Sequence, residues 1–120
     1  MYKGKIEESL DCGIYVSAKV FGGKWKCCIL DAIKRGIARP VEICNYIPEA
    51  SKRVIEMQLA ELLFYGVIEK KSEDTYPKKS EYSLSTVGES ILPLLSQMEE
   101  WGVAHSELVK ERQAELLDSE

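Results

Sequence analysis

Glycine and proline cut the middle of this chain into short apolar-periodic pieces, and that punctuation constrains the fold more than any other feature. Gly22-Gly23 closes one stretch, Gly36 the next and Gly66 the last, while Pro40 and Pro48 bracket the piece between. Glycine readily takes the left-handed conformation that ends a helix, and proline is tolerated in a first helical turn but not in an interior one. Within Lys24 to Arg35, the residues Trp25, Cys28, Ile29, Ala32 and Ile33 recur at the spacing of a core-facing helix. Pro40 fits the first turn of a further helix, Val41 to Ile47. Ser51 is a good N-cap for a helix running to about Tyr65. Its residues Ile55, Leu59, Leu62 and Leu63 gather on one side, and Arg53, Met57, Ala60 and Phe64 fall near the other.

The flanks complete the order. Leu10 to Phe21 reads as a short, weakly amphipathic helix. Val67 to Glu73 and Ser80 to Ser85 read as two strands joined by a polar loop, Asp74 to Lys79. From Thr86 the pattern is helical to about Leu117, with Gly88, Pro93 and Gly102 as candidate bends. Ile91, Leu94, Leu95, Met98, Trp101 and Leu108 form an apolar stripe there that is a liability in a monomer and favours self-association. The expectation is a mainly α fold with a small β-hairpin, a winged helix-turn-helix with extra N- and C-terminal helices. It forms one domain over residues 1–120, with 22–85 as the DNA-binding core and helical flanks over 1–21 and 86–120. The second helix of the turn pair, Ser51 to Tyr65, is the one expected in a major groove.

Composition narrows the function. The 120 residues suit one domain, and no apolar run approaches the ~18 residues of a membrane span. Met1 to Leu10 lacks the apolar stretch of a secretory signal, so the expected location is the cytoplasm and no membrane partner is expected. Net charge is −4, which at first argues against nucleic acid. The charge is uneven, however. Residues 1–50 hold eight Lys/Arg against six Asp/Glu, and residues 51–80 hold six against five; from Ser96 onward there are seven acids against Lys110 and Arg112. The first two-thirds can therefore present a basic face.

The four cysteines, Cys12, Cys27, Cys28 and Cys44, lack C-x-x-C spacing, and the single histidine, His105, is distant in sequence. Reduced thiols are expected, with no metal site and no cofactor. No nucleophile–base–acid set is visible, so an enzyme is not expected.

Several motifs, taken in order, resemble the HxlR-type winged-helix regulators of bacteria and archaea. They are Gly22-Gly23-Lys24-Trp25-Lys26, Ser51-x-Arg53-x-Ile55, Gln58-Leu59 with Leu62, and Gly66-Val67-Ile68-Glu69. Pro77, Glu81-Tyr82-Ser83-Leu84-Ser85, Gly88, Pro93 and Trp101-Gly102 follow. The resemblance implies a homodimeric, sequence-specific transcriptional regulator that binds double-stranded DNA, with the helices of 1–21 and 86–120 as dimerisation helices; a two-fold dimer then calls for an inverted repeat.

It places Lys24 and Lys26 near the DNA backbone, and Ser51, Lys52, Arg53, Glu56 and Met57 on the recognition helix. Lys78 and Lys79 fall in the wing. Ile14, Val20, Leu94, Met98 and Trp101 are the expected dimer contacts. Relatives often carry polar Thr and Gln at the positions of Glu56 and Met57, and an aromatic at Pro40. Cys12 matches the family's N-terminal cysteine, which in some relatives senses oxidants or electrophiles, and Cys44 is a candidate resolving partner. The bland reading of Cys12 is a small interface residue that senses nothing. The competing function is a winged-helix dimer that acts as a protein-interaction scaffold without reading DNA.

Overall fold

The computed structural model describes residues 10–73 and 79–119. Helix α1 spans Gly13–Phe21, α2 Lys26–Lys34, α3 Pro40–Tyr46 and α4 Lys52–Phe64. Strands β1 (Ile68–Ser72) and β2 (Ser80–Leu84) follow, then a single turn α5 (Thr86–Glu89) and the long α6 (Leu92–Asp118). This is the winged-helix order expected from the sequence, a mainly helical chain with one hairpin.

Local chemistry explains the boundaries. Ser51 is the N-cap of α4, its hydroxyl accepting from the Val54 N–H at 3.2 Å. At the other end Gly66 is left-handed, with φ of 74°. There the Val67 N–H donates to the Leu62 carbonyl and the Gly66 N–H to that of Leu63, both at 3.1 Å, the paired bonds of a Schellman stop. Pro40 sits in the first turn of α3, and Glu42 reaches back to accept from the Arg39 N–H. The helical run after Thr86 breaks before Pro93 but passes through Gly102 without interruption.

The strands pair antiparallel, with Ile68 opposite Leu84 and Lys71 opposite Glu81. The Tyr82 N–H donates to the Ala38 carbonyl at 2.8 Å, so the extended link between α2 and α3 is tied to the hairpin. Ser85 bonds the carbonyls of Gly66 and Val67 and caps α5. A Cβ at Gly88 would collide with the Val67 carbonyl oxygen, so this close approach of α5 to the hairpin requires glycine.

The core joins Ile29, Leu30 and Ile33 of α2, Ile43 and Ile47, Ile55, Leu59 and Leu62 of α4, and Val67, Ile68, Tyr82 and Ile91. Two expectations for the core need correction. The buried side of α2 is set by Lys26, Ile29, Leu30, Ala32 and Ile33, with Trp25 packed half-buried against the core beside it, and not by Cys28. Trp25 stands outside the helix as its N-cap, and Cys28 is exposed because Lys26 and Leu30 take that edge of the inward face. Leu63 is likewise exposed, because Ile55, Leu59 and Leu62 already fill the inner face of α4. Helix α6 has no buried residue along its 27 positions.

Candidate nucleic-acid interface

The cap at Ser51 starts α4 such that Lys52 and Arg53 occupy its first two positions. Both are exposed, as are Ser51, Glu56 and Met57. The helix is thus anchored by its inner stripe and presents these five expected residues to solvent within its first two turns. The Lys52 ammonium stands 3.9 Å from the Glu56 carboxylate, a weak surface pair one turn apart. Glu56 also faces the hairpin: the Tyr82 phenol is pushed above its ordinary value by burial first and by Glu56 second.

Lys24 is exposed, its ammonium 5.0 Å from the Trp25 ring centroid. Lys79 is exposed where the hairpin reopens, its carbonyl accepting from the Glu73 N–H at 3.0 Å. Lys78 lies outside the described residues. Lys26 contradicts its expected place beside a DNA backbone. Its side chain is only 9% exposed, and its Nζ lies 2.6 Å from Glu61 Oε2 on α4. The position falls on the inward face of α2, where the ammonium is paired with an acid and largely withdrawn from solvent.

Other charged groups, outside those the sequence motifs single out, lie on and beside the hairpin. Lys70 and Lys71 of β1 are exposed, and Arg39, at the start of α3, lies 3.8 Å from Glu73 at the end of β1. The Lys-Lys pair inside the strand-like run Val67 to Glu73 was the available signal.

The thiols are all free. Cys12 is exposed and is the N-cap of α1, making no side-chain capping bond. Cys44 is half-buried against the core. The Cys27 thiol donates to the Phe21 carbonyl at 3.2 Å, and burial, then Cys28, raises its pKa. Burial, then Asp31, Glu49 and Glu99, raises that of Cys28. Cys28 lines an open cleft of about 300 Å³ between α2 and α6, with Leu95 and Met98 on the opposite wall.

Among the expected dimer contacts, Ile14 is 84% exposed, Trp101 62%, Met98 51% and Leu94 46%. Val20 differs: it is half-buried against its own core, because the end of α1 folds down onto the domain. His105 stacks on Trp101 with centroids 4.3 Å apart, and its Nδ1 lies 2.9 Å from the Trp101 carbonyl oxygen.

A helix-turn-helix pair, a hairpin wing and a long exposed helix make an arrangement with known counterparts. The HxlR-like helix-turn-helix family matches residues 20–110. The chain belongs to that family. It is 33% identical over 100 residues to the HTH-type transcriptional regulator YkvN of Bacillus subtilis, covering 83% of this chain and 85% of that one. The reduced form of the redox regulator HypR superimposes with a TM-score of 0.78 at 29% identity, over 83% of this chain and 99% of that one. Diamide-treated YodB from B. subtilis gives a TM-score of 0.65 at 25% identity, over 80% and 96%. This HxlR-type chain is a transcriptional regulator. No helix among its described residues is long and apolar enough to cross a membrane.

Proposed function

We propose that two copies of this chain pair through α1 and α6 and use α4 to read double-stranded DNA at an inverted repeat. The observation that carries this reading is the division of α4, with Ile55, Leu59 and Leu62 buried while Lys52, Arg53 and Met57 stand in solvent. In this reading residues 22–85 bind DNA, and residues 1–21 and 86–120 self-associate.

Lys24, Lys52, Lys78 and Lys79 neutralise phosphates, and the released counterions make affinity fall with salt. Arg53 suits guanine O6 and N7, while Glu56 accepts from cytosine N4, so the two supply sequence preference rather than bulk attraction. A two-fold dimer offers its two α4 helices about 34 Å apart or a multiple of it, which is why the site is an inverted repeat.

The exposure of Cys12 at a helix N-terminus supports a response to oxidants or electrophiles, with Cys44 as its resolving partner. The likeness to a redox regulator supports it as well. Such a switch belongs in the reducing cytoplasm.

The test is selection of duplexes from a random pool, followed by binding at 50 and 200 mM salt with and without diamide. The expected result is a two-fold symmetric site, affinity that falls steeply with salt, and a diamide effect that Cys12→Ser abolishes. The pairing of Lys52 with Glu56 favours a second reading, a winged-helix scaffold that binds protein alone. Under that reading no duplex is enriched and no salt-dependent affinity is seen.

A further inference from the structure

Among the described residues, Lys26 is the one charged side chain in the core. A core position asks only for an apolar side chain, and an ion pair whose acid keeps 41% of its side chain in solvent adds little stability. The N-terminus of a helix also disfavours a cation, and Lys26 is the first residue of α2. Glu61, reaching across from α4 to within 2.6 Å, holds the ammonium there. Stability is therefore a poor reason for the pair, and geometry is a better one.

Helix α4 rests on Ile55, Leu59 and Leu62. Apolar contacts of this kind are non-directional and resist a roll of the helix about its own axis only through steric fit. A charge-assisted hydrogen bond adds a directional restraint on that roll, because it weakens steeply with distance and angle. On a helix of about 5–6 Å radius, a roll of about 20° moves a side chain by about 2 Å. That displacement exceeds what a base-edge hydrogen bond tolerates. Arg53, Glu56 and Met57 share a rigid rod with Glu61, so whatever holds Glu61 also aims them. The same corner receives α1, since the Cys27 thiol next to Lys26 bonds the last carbonyl of that helix.

We infer that the Lys26–Glu61 bridge sets the roll of α4 about its axis and thereby selects which of its side chains meet the bases. Lys26 and Glu61 are positioning residues that touch no DNA. The inference rests on the proposed reading of α4 as the DNA-reading helix.

The experiment compares the full chain with K26M/E61L and with the charge swap K26E/E61K. Residual dipolar couplings measure the orientation of α4 relative to α2 without DNA. Binding then compares the duplex selected by the parent with a scrambled one. In K26M/E61L the melting temperature stays level or rises, and α4 departs from its parental orientation. Selectivity falls at least tenfold, while the salt dependence, set by the phosphate lysines, is unchanged. The swap recovers both orientation and part of the selectivity. If K26M/E61L does not fold, E61Q, whose amide oxygen still accepts from Lys26, retains more selectivity than E61A.

An apolar pair that keeps the parental orientation overturns the inference, and so does full selectivity in K26M/E61L or equal selectivity in E61Q and E61A. If the parent enriches no duplex, the DNA reading fails by itself. The couplings then still decide the bridge.

Discussion

Helices α2 and α6 are both rich in apolar residues, yet they meet opposite fates. The nine residues of α2 bury Ile29, Leu30, Ala32 and Ile33, whereas the 27 residues of α6 bury none. The first helix is completed by α3, α4 and the hairpin of its own chain. The second carries Leu94, Met98, Trp101, Leu108, Val109 and Leu116 into solvent along about 40 Å of rod. An apolar stripe of that length is ordinarily covered by another surface. One region is thus self-sufficient within a single copy, and the other is complementary to something outside it, which in the proposed reading is a second copy.

The sharpest way to break this contrast is to damage each side separately. Leu59→Ala empties a fully enclosed core site and is expected to lower the unfolding free energy by about 2–5 kcal/mol, read by urea denaturation. Trp101→Glu is expected to leave the far-ultraviolet circular dichroism unchanged and to cost about 2–4 kcal/mol of self-association, read by sedimentation equilibrium. Equal losses of fold stability in the two variants would erase the distinction.

Smaller effects sharpen it. Arg53→Ala is expected to lose about 1–3 kcal/mol of affinity for the selected duplex and to relax base preference at one position, with dimerisation untouched. Ser51→Ala removes the α4 cap at a cost of about 1 kcal/mol, visible as a lower melting temperature.

The smallest effect is a pH dependence confined to the core. Tyr82 has a raised pKa in the fold, so its contribution is intact below the ordinary tyrosine value and is lost as pH rises through the folded one. Tyr82→Phe is expected to flatten the alkaline limb of the stability curve and leave self-association at the same pH unaltered.

Much of this contrast was legible in the residues. The left-handed glycines, the Ser51 cap and Pro40 in a first turn act locally, so the helix order and the length of α4 could be read directly. The apolar stripe around Trp101 could be read too, because periodicity does not depend on what covers it. The edge of the inward face of α2 could not, where Lys26 rather than Cys28 is buried. Five apolar or near-apolar residues in a row-like pattern, Trp25, Cys27, Cys28, Ile29 and Leu30, fit two rotations of the helix about equally well. Only the tertiary pairing of Lys26 with Glu61 distinguishes them. A lysine in a basic motif suggests a phosphate contact, and nothing local shows that an acid 35 positions later will claim it. The half-burial of Val20 has a related origin, since the angle at which α1 meets the core depends on contacts far along the chain.

The most direct test of the dimeric, groove-reading arrangement is the stoichiometry of the complex with the selected duplex, measured by sedimentation at two salt concentrations. Two protomers per duplex, bound at low salt and released as salt rises, is the expected result. One protomer per duplex, or binding indifferent to salt, would contradict it.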